Sequence, residues 1–332
     1  MTEDMVDLVV TSAPHVRKKI KTSQIMRDVL IALVPATVGG LYFFGIGHTL
    51  GVIIVAVLST ILAEYLGNLI FRKKSTLWDF SSGVTGLLLA LVLPPSSPYW
   101  MVVVGAFSAI FIGKIIFGGI GSNPFNPALV GRAVLMVSWP TFMTTWLKPF
   151  YWKIGSQSLD AITSATPLNI VKLQSYSALI QQFGSKIALY KVLFIGNVGG
   201  CIGETSALLL LTGGIYLLVK KVIDWRIPFT YIISVFVFSF IFGRDPLFSI
   251  LAGGLFLGAF FMATDYSSSP VTPRGKIIFG IFIGFVTVII RRFSSYPEGI
   301  MFSILLGNAF VTYFDRFKPH IYGVFAKNGG KT

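Results

Sequence analysis

Apolar residues gather along the chain into ten runs, at 26–45, 49–71, 80–94, 99–117, 126–143, 200–219, 227–243, 246–263, 276–290 and 298–314. The longest match the roughly 20 residues a straight helix needs to cross a bilayer, and several fall short of it. In hydrocarbon the backbone must satisfy its own polar groups, so each run is predicted as a helix. The short, Gly/Pro-broken runs predict discontinuous helices around a buried site, where irregular backbone survives only inside protein. One long polar stretch, 144–190, parts runs five and six. A connection of that length without secondary structure of its own is usually functional.

The two sets of five runs resemble each other. Residues 81–98, SSGVTGLLLALVLPPSSP, are echoed by residues 250–270, ILAGGLFLGAFFMATDYSSSP, and each is followed by a Gly-rich apolar run. Asn123-Pro124-Phe125-Asn126-Pro127 lies about as far beyond Pro98 as Tyr296-Pro297-Glu298-Gly299 lies beyond Pro270. Repeats with an odd number of spans are inverted relative to one another. The expected organisation is a cytoplasmic segment 1–25, a first five-helix repeat 26–143, an extracytoplasmic loop 144–190, a second five-helix repeat 191–314 and a cytoplasmic tail 315–332.

Composition sharpens this picture. Of 332 residues, 54% are hydrophobic and 12% charged, against roughly 25% charged in soluble domains. The net charge of +14 does not point to nucleic acid, because the basic residues sit at the ends of apolar runs rather than on one polar face. With the amino terminus inside, the basic loops at 72–74, 220–226 and 274–276, both termini, Lys114 and Arg132 place 19 of 27 Lys+Arg on the cytoplasmic side and 8 outside. The positive-inside rule is met. No signal-peptide core precedes the first run, so a multi-pass membrane protein with both termini on the cytoplasmic side is expected. Cys201 is the single cysteine, which excludes an internal disulfide framework and argues against a Cys-rich metal site. The histidines His15, His48 and His320 are scattered, and no HExxH or phosphate loop occurs.

Within the polar stretch stands Asp160-Ala161-Ile162-Thr163-Ser164-Ala165-Thr166-Pro167-Leu168. Locally this is a hydroxyl-rich turn in which Pro167 drives Thr166 toward extended backbone. The string also resembles the flavinylation motif of the membrane subunits of the Rnf and Na⁺-translocating NADH:quinone oxidoreductase complexes, with Thr163-Ser164 where Ser-Gly is commoner. Three further stretches match that family in order: Gly121-Ser122-Asn123-Pro124-Phe125-Asn126-Pro127-Ala128 with Gly131-Arg132, Gly203-Glu204-Thr205-Ser206, and Ala263-Thr264-Asp265 with Ser269-Pro270-Val271-Thr272-Pro273-Arg274-Gly275. The Rnf branch is nearer, since the longer amino-terminal extension of the quinone reductase is absent.

The resemblance implies an all-α polytopic fold of about ten helices in two inverted repeats, similar to urea transporters. It implies FMN joined by a phosphoester to Thr166, with Asp160, Thr163, Ser164 and Ala165 completing the motif. It implies electron transfer during ferredoxin:NAD⁺ oxidoreduction coupled to Na⁺ or H⁺ movement, as one component of a redox translocase. The implied partners are RnfA, RnfB, RnfC, RnfE and RnfG, above all the FMN-bearing RnfG, together with membrane lipid. A second, noncovalent flavin such as riboflavin is also implied. Asn123, Asn126 and Asp265 are its candidate residues, because a carboxamide matches the donor and acceptor edge of a flavin; the same asparagines could simply close helix ends.

Glu204 and Thr205 are placed at the start of the sixth run, where the helix dipole tolerates a carboxylate. A cap, flavin positioning and cation handling all fit Glu204. Glu64 and Asp265 are further acidic residues in or beside runs, each pointing to a cavity, partner or ion path, whereas Asp79, next to Trp78, is placed at a membrane interface. Arg132 and Arg274 read as phosphate or lipid-headgroup contacts. A channel or secondary transporter for a small polar solute would fit inverted repeats equally well, as would an assembly scaffold, but neither needs the Thr166 motif.

Overall fold

The computed structural model describes residues 21–72, 77–153, 165–294 and 298–316, and every regular element among them is helical. Helix α1 (Thr22–Phe44) and α2 (Gly47–Ile70) are the two long and apolar enough to cross a membrane alone. Each has two faces. On α1, Ala32, Leu33, Ala36 and Phe43 are buried, while Ile31, Val34, Val38 and Tyr42, at helical spacing, are 47–63% exposed. Water would penalise such a stripe, whereas lipid solvates it.

Next come α3 (Ser81–Leu91), α4 (Tyr99–Ile110) and α5 (Pro127–Ser138). A π-helical turn, Phe111–Ile115, continues α4 and carries Lys114; such single turns are rare and often sit at functional sites. The second group holds α9 (Ala207–Val219), α10 (Arg226–Ile241), α11 (Pro246–Leu251), α12 (Pro273–Phe293) and α13 (Ile300–Ala309), with a further π turn at Gly258–Met262 between α11 and α12. All ten apolar runs therefore contain helix, and the third and fifth of each set are short or broken.

Small residues let these helices approach closely, the usual solution where lipid removes the hydrophobic drive between helices. A Cβ on Gly86 of α3 would stand 2.7 Å from Val57 Cα of α2, and one on Gly213 of α9 would stand 2.0 Å from the Ala32 carbonyl oxygen of α1. Buried hydroxyls tie α10, α12 and α13: Tyr231 Oη and Thr287 Oγ1 are 2.8 Å apart, and Thr287 Oγ1 donates to Ser303 Oγ at 2.7 Å.

From residue 167 on, the polar stretch is more helical than its composition suggests. It contains α6 (Pro167–Leu173), α7 (Tyr176–Phe183) and α8 (Lys186–Ile195), the last running past residue 190. Thr166, Ser175 and Ser185 cap them, each accepting the backbone N–H three residues on. Leu168, Leu179, Leu189 and Leu193 form a small separate core with Phe248 of α11. The phenols of Tyr176 and Tyr190 both donate to Asp245, which caps α11 through Phe248 N–H at 3.1 Å. Partial burial raises the Asp245 carboxyl, but the two phenols and the backbone donors outweigh it and hold the group below the usual carboxylate range.

Candidate functional site

Two cavities gather the residues singled out in the sequence. The outer one is lined by Thr166, Leu168, Gly200, Glu204, Thr205 and Glu298. Thr166 has the extended backbone imposed by Pro167 (φ −66°, ψ 154°), is 7% exposed, and its Oγ1 accepts the Asn169 N–H at 3.2 Å. Ala165 beside it is exposed. Asp160, Thr163 and Ser164 lie outside the described residues.

Glu204 sits elsewhere than expected. Ser206 Oγ accepts the Leu209 N–H at 3.4 Å and starts α9 at Ala207, so Glu204 stands in the turn before the helix rather than in its first turn. That turn is pinned to the end of α3 by Ile202 N–H donating to Leu93 O at 3.0 Å and Gly203 N–H donating to Leu91 O at 2.8 Å. Gly254, at φ +68°, is required beside it, because a Cβ there would lie 2.5 Å from Glu204 Cδ.

Arg132, read from the sequence as a phosphate or headgroup contact, is 3% exposed and held by protein side chains. Its guanidinium donates to Glu204 Oε1 at 2.8 Å, to the Glu298 carboxylate, and to Cys201 Sγ at 3.5 Å. The sequence separation of 166 residues between Arg132 and Glu298 hides this pairing from any local reading. Cys201, Glu204 and Glu298 offer donor atoms within 4.8 Å of one another, yet the guanidinium already bridges both carboxylates. The cluster is an ion-pair network.

The inner cavity is lined by Ser81, Lys114, Asn123, Asn126, Thr264 and Asp265, with Phe260 and Phe261 as apolar walls. The expected juxtaposition is present: Asn123 Nδ2 donates to Asp265 Oδ2 at 3.4 Å across the two halves. Asn126 caps α5, accepting Leu129 N–H at 3.3 Å, and its Nδ2 donates to Met262 O at 3.3 Å. The capping role and cavity lining therefore coexist in one side chain. Asp265 Oδ2 also accepts from Ser268 Oγ at 3.0 Å.

Lys114, expected among the cytoplasmic charges, is 3% exposed and paired with Glu64 of α2, Nζ to Oε1 2.7 Å. With Arg132 also buried, neither belongs to the charge bias of the loops. The signal for this pair is one lone acid and one lone base, each inside an apolar run. Asp79 Oδ1 accepts the Ser81 N–H at 2.8 Å at the start of α3.

Comparison with known proteins places these motifs in context. The sequence pattern of the NQR2, RnfD, RnfE family matches residues 9–323. The D component of the proton-translocating ferredoxin:NAD(+) oxidoreductase complex of Clostridium ljungdahlii is 47% identical over 315 residues, covering 93% of each chain. Its counterpart in the Na(+)-translocating complex of Acetobacterium woodii is 44% identical, covering 96% of each. The D component of the ion-translocating oxidoreductase complex of Mannheimia succiniciproducens is 36% identical, covering 95% of this chain and 97% of its own.

Proposed function

The chain belongs to the NQR2, RnfD, RnfE family, and on that premise we propose that it is the D component of an ion-translocating ferredoxin:NAD⁺ oxidoreductase, carrying FMN on Thr166 and a noncovalent flavin in the inner cavity. The observation that carries this reading is that Thr166, the acceptor position of the motif, lines one cavity with Glu204 and Thr205 of the separate GETS motif. It works beside the other Rnf proteins, RnfG foremost. The chain crosses the cytoplasmic membrane with its termini inside and the Thr166 segment outside, in ten spans forming two inverted five-helix repeats. The odd number of apolar runs before the 144–190 stretch, and the short third and fifth helices of each set, support that topology. The three relatives reported above are named as oxidoreductase components rather than solute channels.

The donor set fits a flavin. Thr166 presents a hydroxyl whose oxygen, once esterified, can still accept the Asn169 N–H. Arg132 offsets the charge of Glu204, which lines the cavity with Thr166. At the inner cavity, two carboxamides and a carboxylate line one wall and two phenylalanine rings another, which suits a planar heteroaromatic ring with a polar edge. The flavins supply the redox chemistry; the protein supplies position, hydrogen bonds and charge. Because Thr166 is 7% exposed and caps α6, the transferase acts before the outer helices close over it. The test is co-expression with a flavin transferase: the denatured chain fluoresces as a flavin, and Thr166→Val does not. A dark wild-type band overturns the covalent reading.

A further inference from the structure

Resting on the inner-cavity reading above, we propose that Lys114 forms the cationic wall of that cavity and sets the reduction potential of the flavin held there. Lys114 lies in the π turn Phe111–Ile115 and is 3% exposed. Its Nζ donates to Glu64 Oε1 at 2.7 Å and to Ser81 Oγ at 2.6 Å. Ser81 Oγ in turn donates to Asp79 Oδ1 at 2.5 Å. Three elements, α2, the start of α3 and the π turn, thus fix one ammonium group.

The arrangement is polarised. Lys114 and Ser81 line the cavity, and Glu64 does not. The positive end of the ion pair is presented to the ligand, and the carboxylate that keeps it charged stands behind. An ammonium has three donors and no acceptor, so with two spent on Glu64 and Ser81 one is left for a ligand. Asp265 is the other charged group on the cavity wall among the described residues. Burying two charges costs several kcal/mol per ion, and a pair that served packing alone is often replaced without loss by apolar residues. Its position at a cavity wall gives it an electrostatic task.

An electron reaching the ring, from dithionite in a titration or from another one-electron carrier of the complex, adds one negative charge and exchanges no atom. The facing ammonium stabilises that charge relative to the neutral oxidised ring. Lys114 therefore raises the potential, and its removal lowers it.

The test is a spectroelectrochemical titration of the noncovalent flavin on the purified full chain carrying Thr166→Val, so that covalent FMN does not contribute. Glu64→Gln/Lys114→Met removes the pair together and leaves no lone buried charge. It should lower the equilibrium constant for one-electron reduction at least tenfold, which is about 59 mV more negative. Lys114→Arg keeps the charge and should hold the wild-type midpoint. Where a variant releases its flavin on purification, the ratio of riboflavin affinities in the oxidised and fully dithionite-reduced states reads the two-electron couple instead. The double variant should shift that ratio at least tenfold toward the oxidised form, about 30 mV for two electrons. An unchanged midpoint or ratio in the double variant overturns the proposal and leaves the pair as a brace between α2 and α4. A wild-type chain that neither retains nor binds riboflavin overturns the inner-cavity reading itself, and this inference with it.

Discussion

Replacing Arg132 by Met separates the buried ion-pair network from everything around it. The side chain is 4% exposed, and its partners Glu204 and Glu298 are 7% and 15% exposed. At the 2.8 Å separation from Glu204, Coulomb's law with an effective dielectric constant of about 20 gives roughly 6 kcal/mol. Desolvation has already consumed much of that attraction. Arg291, whose Nε donates to Glu298 O at 3.0 Å, remains as the nearby cation. What the substitution exposes is the cost of two buried carboxylates that have lost their direct partner, about 3–5 kcal/mol. At about 2 °C per kcal/mol for a large chain, the apparent melting temperature in detergent should fall by roughly 6–10 °C. Glu204→Gln leaves Glu298 on the guanidinium and keeps an amide oxygen to accept its N–H, so its loss should be nearer 1–2 kcal/mol. Fluorescence-detected thermal unfolding of the two variants measures both. A melting temperature for Arg132→Met within about 2 °C of wild type, or an equal fall for Glu204→Gln, would refute the argument that Arg132 neutralises both acids.

Other outcomes follow from the same geometry. Asn126→Ala removes the α5 cap and a cavity-lining amide together, and should deplete noncovalent flavin about five-fold or more, the effect of about 1 kcal/mol, while covalent FMN on Thr166 stays stoichiometric. Asp245, held below the usual carboxylate range by Tyr176 and Tyr190, contributes stability that is complete above its unfolded value near 4 and is lost as pH falls through the lower folded value. Tyr176→Phe should weaken the α7–α11 junction at pH 7, with the difference from wild type shrinking below about pH 4; limited proteolysis between residues 174 and 196 across pH reads this. Lys276→Ala breaks a partly exposed pair with Asp224 and should cost under about 1 kcal/mol, seen as an unmoved melting temperature. A phosphatase reporter fused near Ser158 should be active and one near Lys73 inactive, and the reverse pattern would invert the proposed orientation.

Much of the helical layout is legible in the sequence because lipid makes the signal one-dimensional: a run such as 49–71 has to be helix wherever it packs, and Gly47–Ile70 is one. Helix ends are less legible, since they depend on which hydroxyl wins the cap. Ser206, not the residues before it, opens α9, and that displaces Glu204 into a turn. The described part of the polar stretch hides α6, α7 and α8 for the same reason, each short and dependent on a Thr or Ser cap and a shared apolar core with Phe248. Asn123 and Asp265, named from the sequence as neighbours of one ligand, meet although 142 residues separate them. No such reading pairs Arg132 with Glu298 or Lys114 with Glu64. A charge inside an apolar run announces that it has a partner, but only packing says which one.

Whether Thr166 carries a flavin is read from the mass of the tryptic peptide spanning residues 154–172. From membranes of cells making the transferase, the account predicts a peptide heavier by FMN less one water, with fragment ions placing the added mass on Thr166. An unmodified peptide from the same cells, or an adduct on Thr163 or Ser164 instead, would contradict it.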